Sequence, residues 1–318
     1  MRFTSIFKFR NRDGKGVEKG EDLRPTLKNF FKFFRRKFSH LLSLNLLMLF
    51  QILPIIVAIV AFFTTPKTPS QTTAIFAPLY GTSLIENSAA TDIVLGTEAL
   101  PLSIPVFEPA AYWIIAICVI FLVLTLGWQS VGSFYVLRNL VRGDAVFVFS
   151  DYFYGIKKNL KRGFLFGLLD ALLIVVLTFD IMYYSQLVGS FWLDVMFWVL
   201  TAVAILYVTM RPYIYLMLIT FDMKIRKMFK NALIFTALGI KRNLMAGIGI
   251  LFLVALHILL IILLMPQVVI TLILPIVYIF AAIGFMTVYA NYPVIDRYMI
   301  EPYRSEPNED EEPEGDAQ

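Results

Sequence analysis

Three side chains of this 318-residue chain are chemically conspicuous because of where they lie: Asp170, Arg211 and His257 stand within or beside long apolar runs. A carboxylate there can form an ion pair, line a polar path or carry a proton, and an imidazole can relay one. Asp170 lies seven residues past Gly163, about 10 Å along a helix axis. An Asp at such depth costs up to about 2.5–3.5 kcal/mol on insertion scales. Three readings compete for it: an ion pair with Arg211, the lining of a cavity or substrate path, and a protonated or hydrogen-bonded group with no further role. For His257, satisfaction by a neighbouring helix competes with proton relay. Gly163, Gly167 and Ala171 follow at helical spacing and form a small-residue ladder that admits close helix approach. Gln51, Gln129 and Asn45 are expected to hydrogen-bond between helices.

Other chemistry finds little footing. Two histidines and one cysteine cannot assemble an ordinary zinc constellation. Neither a G-x-x-x-x-G-K-[ST] loop nor a G-x-S-x-G elbow occurs. Gly247-x-Gly249 lies in an apolar run and reads as packing. No enzyme, cofactor or metal is expected, and no cleavable signal peptide.

These residues ride on elements built for a membrane. The chain is 58% hydrophobic and 16% charged, against about 45–50% and about 25% in soluble domains. Six runs are long enough to cross about 30 Å of hydrocarbon: Leu41–Thr64, Ala111–Leu137, Gly163–Tyr183, Phe191–Met210, Leu244–Met265 and Val268–Asn291. Pro266 and Gln267 make a tight hairpin between the last two. The fourth run stays apolar as far as Phe221, which calls for a tilt, or for a break at Pro212 with the remainder along the inner surface. Pro54 and Pro275 are expected to kink the first and sixth helices.

Sidedness follows from the cations. Residues 1–40 hold 12 of the 28 Lys and Arg, 138–162 six, 211–243 seven, and the tail two; the loop 65–110 holds Lys67 alone. Both termini are therefore expected in the cytoplasm. The organisation is a basic region 1–40, a membrane domain 41–291 with outer loop 65–110, and an acidic tail 292–318.

A unit recurs. Gly155-Ile156-Lys157-Lys158-Asn159-Leu160 returns as Gly239-Ile240-Lys241-Arg242-Asn243-Leu244, and the offset extended over 155–173 gives nine identities in nineteen positions. Asp170 has Val254 as its mate. A basic amphipathic stretch precedes each copy, with Phe149, Tyr152, Phe153, Ile156 and Leu160 on one face of the first. Ile225, Met228, Phe229, Ala232 and Leu233 do the same in the second. Leu27, Phe30, Phe31, Phe34 and Phe38 form a third such stripe, flanked by Lys28, Lys32, Arg35 and Arg36. The expected fold is all-α: six transmembrane helices with basic amphipathic interfacial helices, in a threefold repeat of helix-pair units. The bilayer and its anionic headgroups at the inner surface are the expected partners, and nucleic acid is not.

Residues 132–160 resemble the YesL-like family of uncharacterised bacterial membrane proteins. The likeness is carried by Gly132-Ser133, by Leu137-Arg138-Asn139-Leu140-Val141-Arg142-Gly143-Asp144, by Phe149-Ser150-Asp151-Tyr152-Phe153 and by Lys157-Lys158-Asn159. Pro212, Phe221-Asp222 and Lys230-Asn231-Ala232-Leu233 resemble the family's second inner segment. The resemblance implies a bacterial plasma-membrane location and a helper of carbohydrate uptake in contact with transporter subunits. It carries over no binding residue. A small secondary transporter using Asp170 is the alternative.

Overall fold

The computed structural model describes residues 25–64, 109–187, 191–264 and 268–303. Among them the chain is helical, without strands. The elements are α1 (Leu27–Arg36), α2 (Phe38–Thr64), α3 (Pro109–Arg142), α4 (Val148–Lys158), α5 (Leu160–Gln186), α6 (Phe191–Thr220), α7 (Ile225–Leu238), α8 (Ile240–Leu263) and α9 (Val268–Ile295). A π-helical turn, Asp296–Ile300, and a 3-10 turn, Glu301–Tyr303, follow. The outer loop, the Pro266-Gln267 hairpin and the acidic run from Glu306 lie outside the described residues.

Five of these helices are long and apolar enough to cross a membrane. The number is six when the halves of α2, Phe38–Gln51 and Leu53–Phe62, count as one broken span. Pro54 lies at that break and has no N–H to give to the carbonyl four residues back. Their length and composition suit a membrane-embedded protein.

The chain divides into two compact units. One, Phe50–Thr125, holds the later part of α2 and the first part of α3, with side chains such as Phe50, Trp113 and Ile117 more than 60% exposed. The other comprises 1–49 and 126–318 and contains the core. There α5 packs on α6, α6 on α7 and α9, and α8 on α9. The core gathers where α2 begins and α3, α6 and α9 end: Leu41 and Leu44, Val131 to Leu140, Tyr213 to Ile219, and Ala281 to Ile295.

One of the two readings of the fourth run is corrected. The stretch after Pro212 neither breaks away nor lies along a surface: α6 continues to Thr220, with every residue from Pro212 to Ile219 buried. A segment apolar on all faces suits the middle of a core better than its edge. Each short helix turns only part of its apolar stripe inward. In α4 the buried residues are Val148, Tyr152 and Gly155, while Phe149 and Phe153 are exposed. In α7 they are Met228, Ala232 and Phe235, with Leu233 exposed. In α1 Phe33 is buried, Phe30 and Phe34 partly so, and Leu27 and Phe31 exposed, as is Phe38 at the start of α2. The small residues Gly155 and Ala232 admit close approach to the core beside the buried rings of Tyr152 and Phe235.

Candidate functional site

The polar centre of the molecule is built from α3, α5 and α6. Tyr207, Arg211 and Tyr215 are spaced at i, i+4 and i+8, so they share one face of α6. That face meets Asp170 of α5, whose exposure is 0%. The Tyr207 hydroxyl donates to Oδ1 at 2.7 Å, and the Tyr215 hydroxyl to Oδ2 at 2.6 Å. Arg211 Nε–H lies 2.9 and 2.8 Å from the two oxygens. A carboxylate offers about four lone-pair sites, and each oxygen here has two contacts. Arg211 Nη2 goes on to donate to Ser130 Oγ of α3 at 3.3 Å. The guanidinium carbon lies 5.2 Å from the Tyr215 ring centroid. Tyr215 in turn stacks on Phe134 (5.3 Å, 9°) and meets Phe166 edge-on. Acid and base are thus paired, hydrogen-bonded to neighbouring side chains and walled by rings, the condition under which a buried pair is tolerated.

Packing at backbone distance keeps this centre closed. The small-residue ladder faces Gly127 of α3. A Cβ built on Gly127 would fall on the Gly163 carbonyl and 2.7 Å from Gly167 Cα. One on Gly163 would come within 2.9 Å of Val131, and Ala171 is 6% exposed.

His257 belongs to another helix pair. Its Nδ1 lies 3.0 Å from Leu253 O in α8, and its Nε2 lies 3.0 Å from the Tyr278 hydroxyl of α9. A carbonyl can only accept, so Nδ1 carries a proton, and in the neutral ring Nε2 accepts from Tyr278. The ring is 5% exposed and needs no third partner.

The residues that carried the family resemblance hold helix ends. Gly143 has φ 81°, and its N–H donates to Leu140 O while that of Asp144 donates to Asn139 O. This double bond closes α3 around a left-handed residue, where glycine is the least strained choice. Arg142 and Asp144 pair across the turn at 3.4 Å. Arg138, 8% exposed, reaches Ile219 O and Thr220 Oγ1 at the end of α6 (3.3 and 3.1 Å), a cation on unsatisfied carbonyls. Arg162 pairs with Asp222 and touches Phe221 O. Asp151 accepts from Phe147 N–H at 3.0 Å. Burial lifts the Asp151 carboxyl above the usual carboxylate range, against the opposing pull of that N–H. Asn159 Nδ2 donates to Gly155 O, Lys158 lies 6.0 Å from the Tyr154 ring, and Asn231 is half-buried on α7. Gln129 bonds Leu47 O and Tyr152, and Asn45 accepts from Ala281 N.

Among the described residues no group of three His, Cys, Asp or Glu could hold a metal ion. Sequence reasoning missed Tyr207, Tyr215, Ser130 and Gly127. The Tyr-x-x-x-Arg-x-x-x-Tyr spacing is the signal that would have revealed the first two.

A sequence profile for a family described as "Protein of unknown function, DUF624" matches residues 110–181. The matched stretch spans α3, α4 and most of α5, and so contains Gly127, Ser130, the ladder and Asp170, but not Arg211. Neither a curated protein nor a solved structure matches the chain.

Proposed function

We propose that this chain is a multi-pass protein of the bacterial plasma membrane, both ends in the cytoplasm, that serves without enzymatic activity as an accessory or scaffold in carbohydrate uptake. The observation that carries the non-transporting reading is the closure of Asp170: two tyrosine hydroxyls and the Arg211 Nε–H, shared between the two oxygens, all come from its own chain. A carboxylate so occupied fits a keystone better than a binding group. The carbohydrate link rests on the YesL-like resemblance of the two inner segments.

Sidedness is supported by the cations of the six-run topology, which fall in the inner segments except for Lys67 in the loop 65–110 and Arg211 inside α6 beside Asp170. Interfacial placement of α1, α4 and α7 is supported by exposed apolar and basic side chains on the same short helices. Phe31 stands with Lys32, Phe153 with Lys157, and Leu233 with Lys230. A threefold repeat is supported by the recurrence of a short helix joined through one residue to a long one: α1 to α2 at Lys37, α4 to α5 at Asn159, α7 to α8 at Gly239. Asn159 and Asn243, mates in the repeat, both return a side-chain bond to a preceding carbonyl.

Purification from native membranes in mild detergent tests the role: subunits of a carbohydrate transporter co-purify reproducibly, and recovery of the chain alone removes the proposal. A reporter active only outside the cell, fused to Gln318, stays silent if the sidedness holds. The partial exposure of Arg211, 27% of its side chain, favours one further reading, a small secondary transporter. In that case proteoliposomes move a solute and Asp170→Asn stops it.

A further inference from the structure

A groove of about 350 Å³ runs between α1, α8 and α9. Its walls are apolar: Leu27 and Phe31 from α1, Met245, Gly249 and Phe252 from α8, and Met286 from α9. Leu27, Phe31, Met245 and Phe252 are each more than half exposed, so the described residues leave the groove open along one side. One cation lines it. Arg242 is the third residue of α8, and Leu253 lines the groove eleven residues further on. That separation is about three turns, which puts both on one face about 16 Å apart. Tyr278, the partner of His257, lines it too. Among the described residues Arg242 forms no ion pair or hydrogen bond, and Lys28 is exposed on α1.

An apolar trough ending in a guanidinium at the first turn of a membrane-length helix has the polarity of a single lipid molecule. Its volume lies in the range of small-ligand sites. Charge selects among occupants. Residues 1–24 precede Pro25 at the rim, but their apolar Phe3, Ile6, Phe7 and Phe9 are interleaved with Arg2, Lys8 and Arg10. Those cations would crowd Arg242 and Lys28, and a second copy would bring the same basic rim. An anionic headgroup answers the charge instead.

We infer that this groove holds one anionic phospholipid of the surrounding leaflet, its phosphate against Arg242 and one acyl chain along Met245, Gly249 and Phe252. The site needs the chain to lie in a bilayer and is independent of the accessory role: loss of a transporter partner would leave it intact.

Native mass spectrometry of the full chain in a neutral detergent tests it, with dioleoylphosphatidylglycerol or dioleoylphosphatidylcholine added. One phosphatidylglycerol adduct saturates first, preferred by about fivefold, and Arg242→Gln abolishes the preference. Gly249→Phe fills the trough and removes the adduct while helical circular dichroism is kept. Replacing Phe252 by p-benzoylphenylalanine and irradiating yields a phospholipid cross-link, a readout that does not depend on the Gly249 variant folding. Equal adducts of the two lipids in wild type and Arg242→Gln overturn the inference. So does an adduct undiminished in folded Gly249→Phe, or a cross-link to residues 1–24 or to a second copy.

Discussion

The α5–α6 and α8–α9 pairs bury one ionisable group each and treat it in opposite ways. Asp170 is surrounded by two phenols, a guanidinium and ring walls, with α3 pressed against α5 at glycine. His257 has one carbonyl and one phenol, and its helix is packed more loosely: a Cβ added to Gly247, about 15 Å away along α8, would meet nothing within 4 Å. A charge taken out of water must be answered on every side, so it organises neighbours from three helices. An imidazole has only two nitrogens to satisfy, both met within α8 and α9, and the groove lies beside the same pair.

The sharpest way to break this contrast is to remove the cation. Arg211→Met leaves the Asp170 carboxylate buried with two tyrosines only, and is expected to lower stability by about 3–5 kcal/mol. Unfolding in mixed micelles reads the loss, and the double variant Asp170→Leu with Arg211→Met recovers most of it. A single variant that unfolds with wild-type resistance would end the keystone reading. Next come the glycines. Gly127→Val must push α3 from α5 and should cost about 1–3 kcal/mol or more, whereas Gly247→Val should change stability by less than about 0.5 kcal/mol. Equal losses would erase the difference between the two regions. Smallest is a pair of hydroxyl deletions: Tyr215→Phe removes a bond to a charge, about 1.5–3 kcal/mol, and Tyr278→Phe a neutral one, about 0.5–1.5 kcal/mol. Imidazole nitrogen shifts should also report Nδ1–H at His257 in the wild type.

The long helices were legible because run length alone separates a membrane helix from a core helix. The closeness of Asp170 and Arg211 was open to sequence reasoning for a related cause, since an acid stranded among apolar neighbours needs a cation and few are near in depth. Tyr207 and Tyr215 were not, because tyrosine in such a run is equally at home at an interface. Gly127 gave no signal either: a glycine that matters for close approach is recognised only once the helix facing it is known. The stripes of α1, α4 and α7 were legible as faces, but which residues of each helix enter the core was not. In water the most apolar stripe turns inward, but a chain with lipid on one side has two apolar surroundings. Apolarity alone then does not choose the inward side, and Tyr152, Gly155, Ala232 and Phe235 go to the core while Phe149 and Phe153 do not. Pro212 looked like a breakpoint, yet α6 passes through it because helices in lipid tolerate a lost bond when neighbours enclose them.

The turn at Gly143 has a consequence for how this chain can vary. Gly127 touches α5 and Arg138 touches the end of α6, eleven residues and about three full turns apart on α3. A single residue inserted between them would rotate one contact away from the other by about 100°. Because α3 stops firmly five residues after Arg138, the slack could not be absorbed beyond it. Residues 127–143 therefore behave as a calibrated spacer, open to exchange of side chains and closed to any change of count.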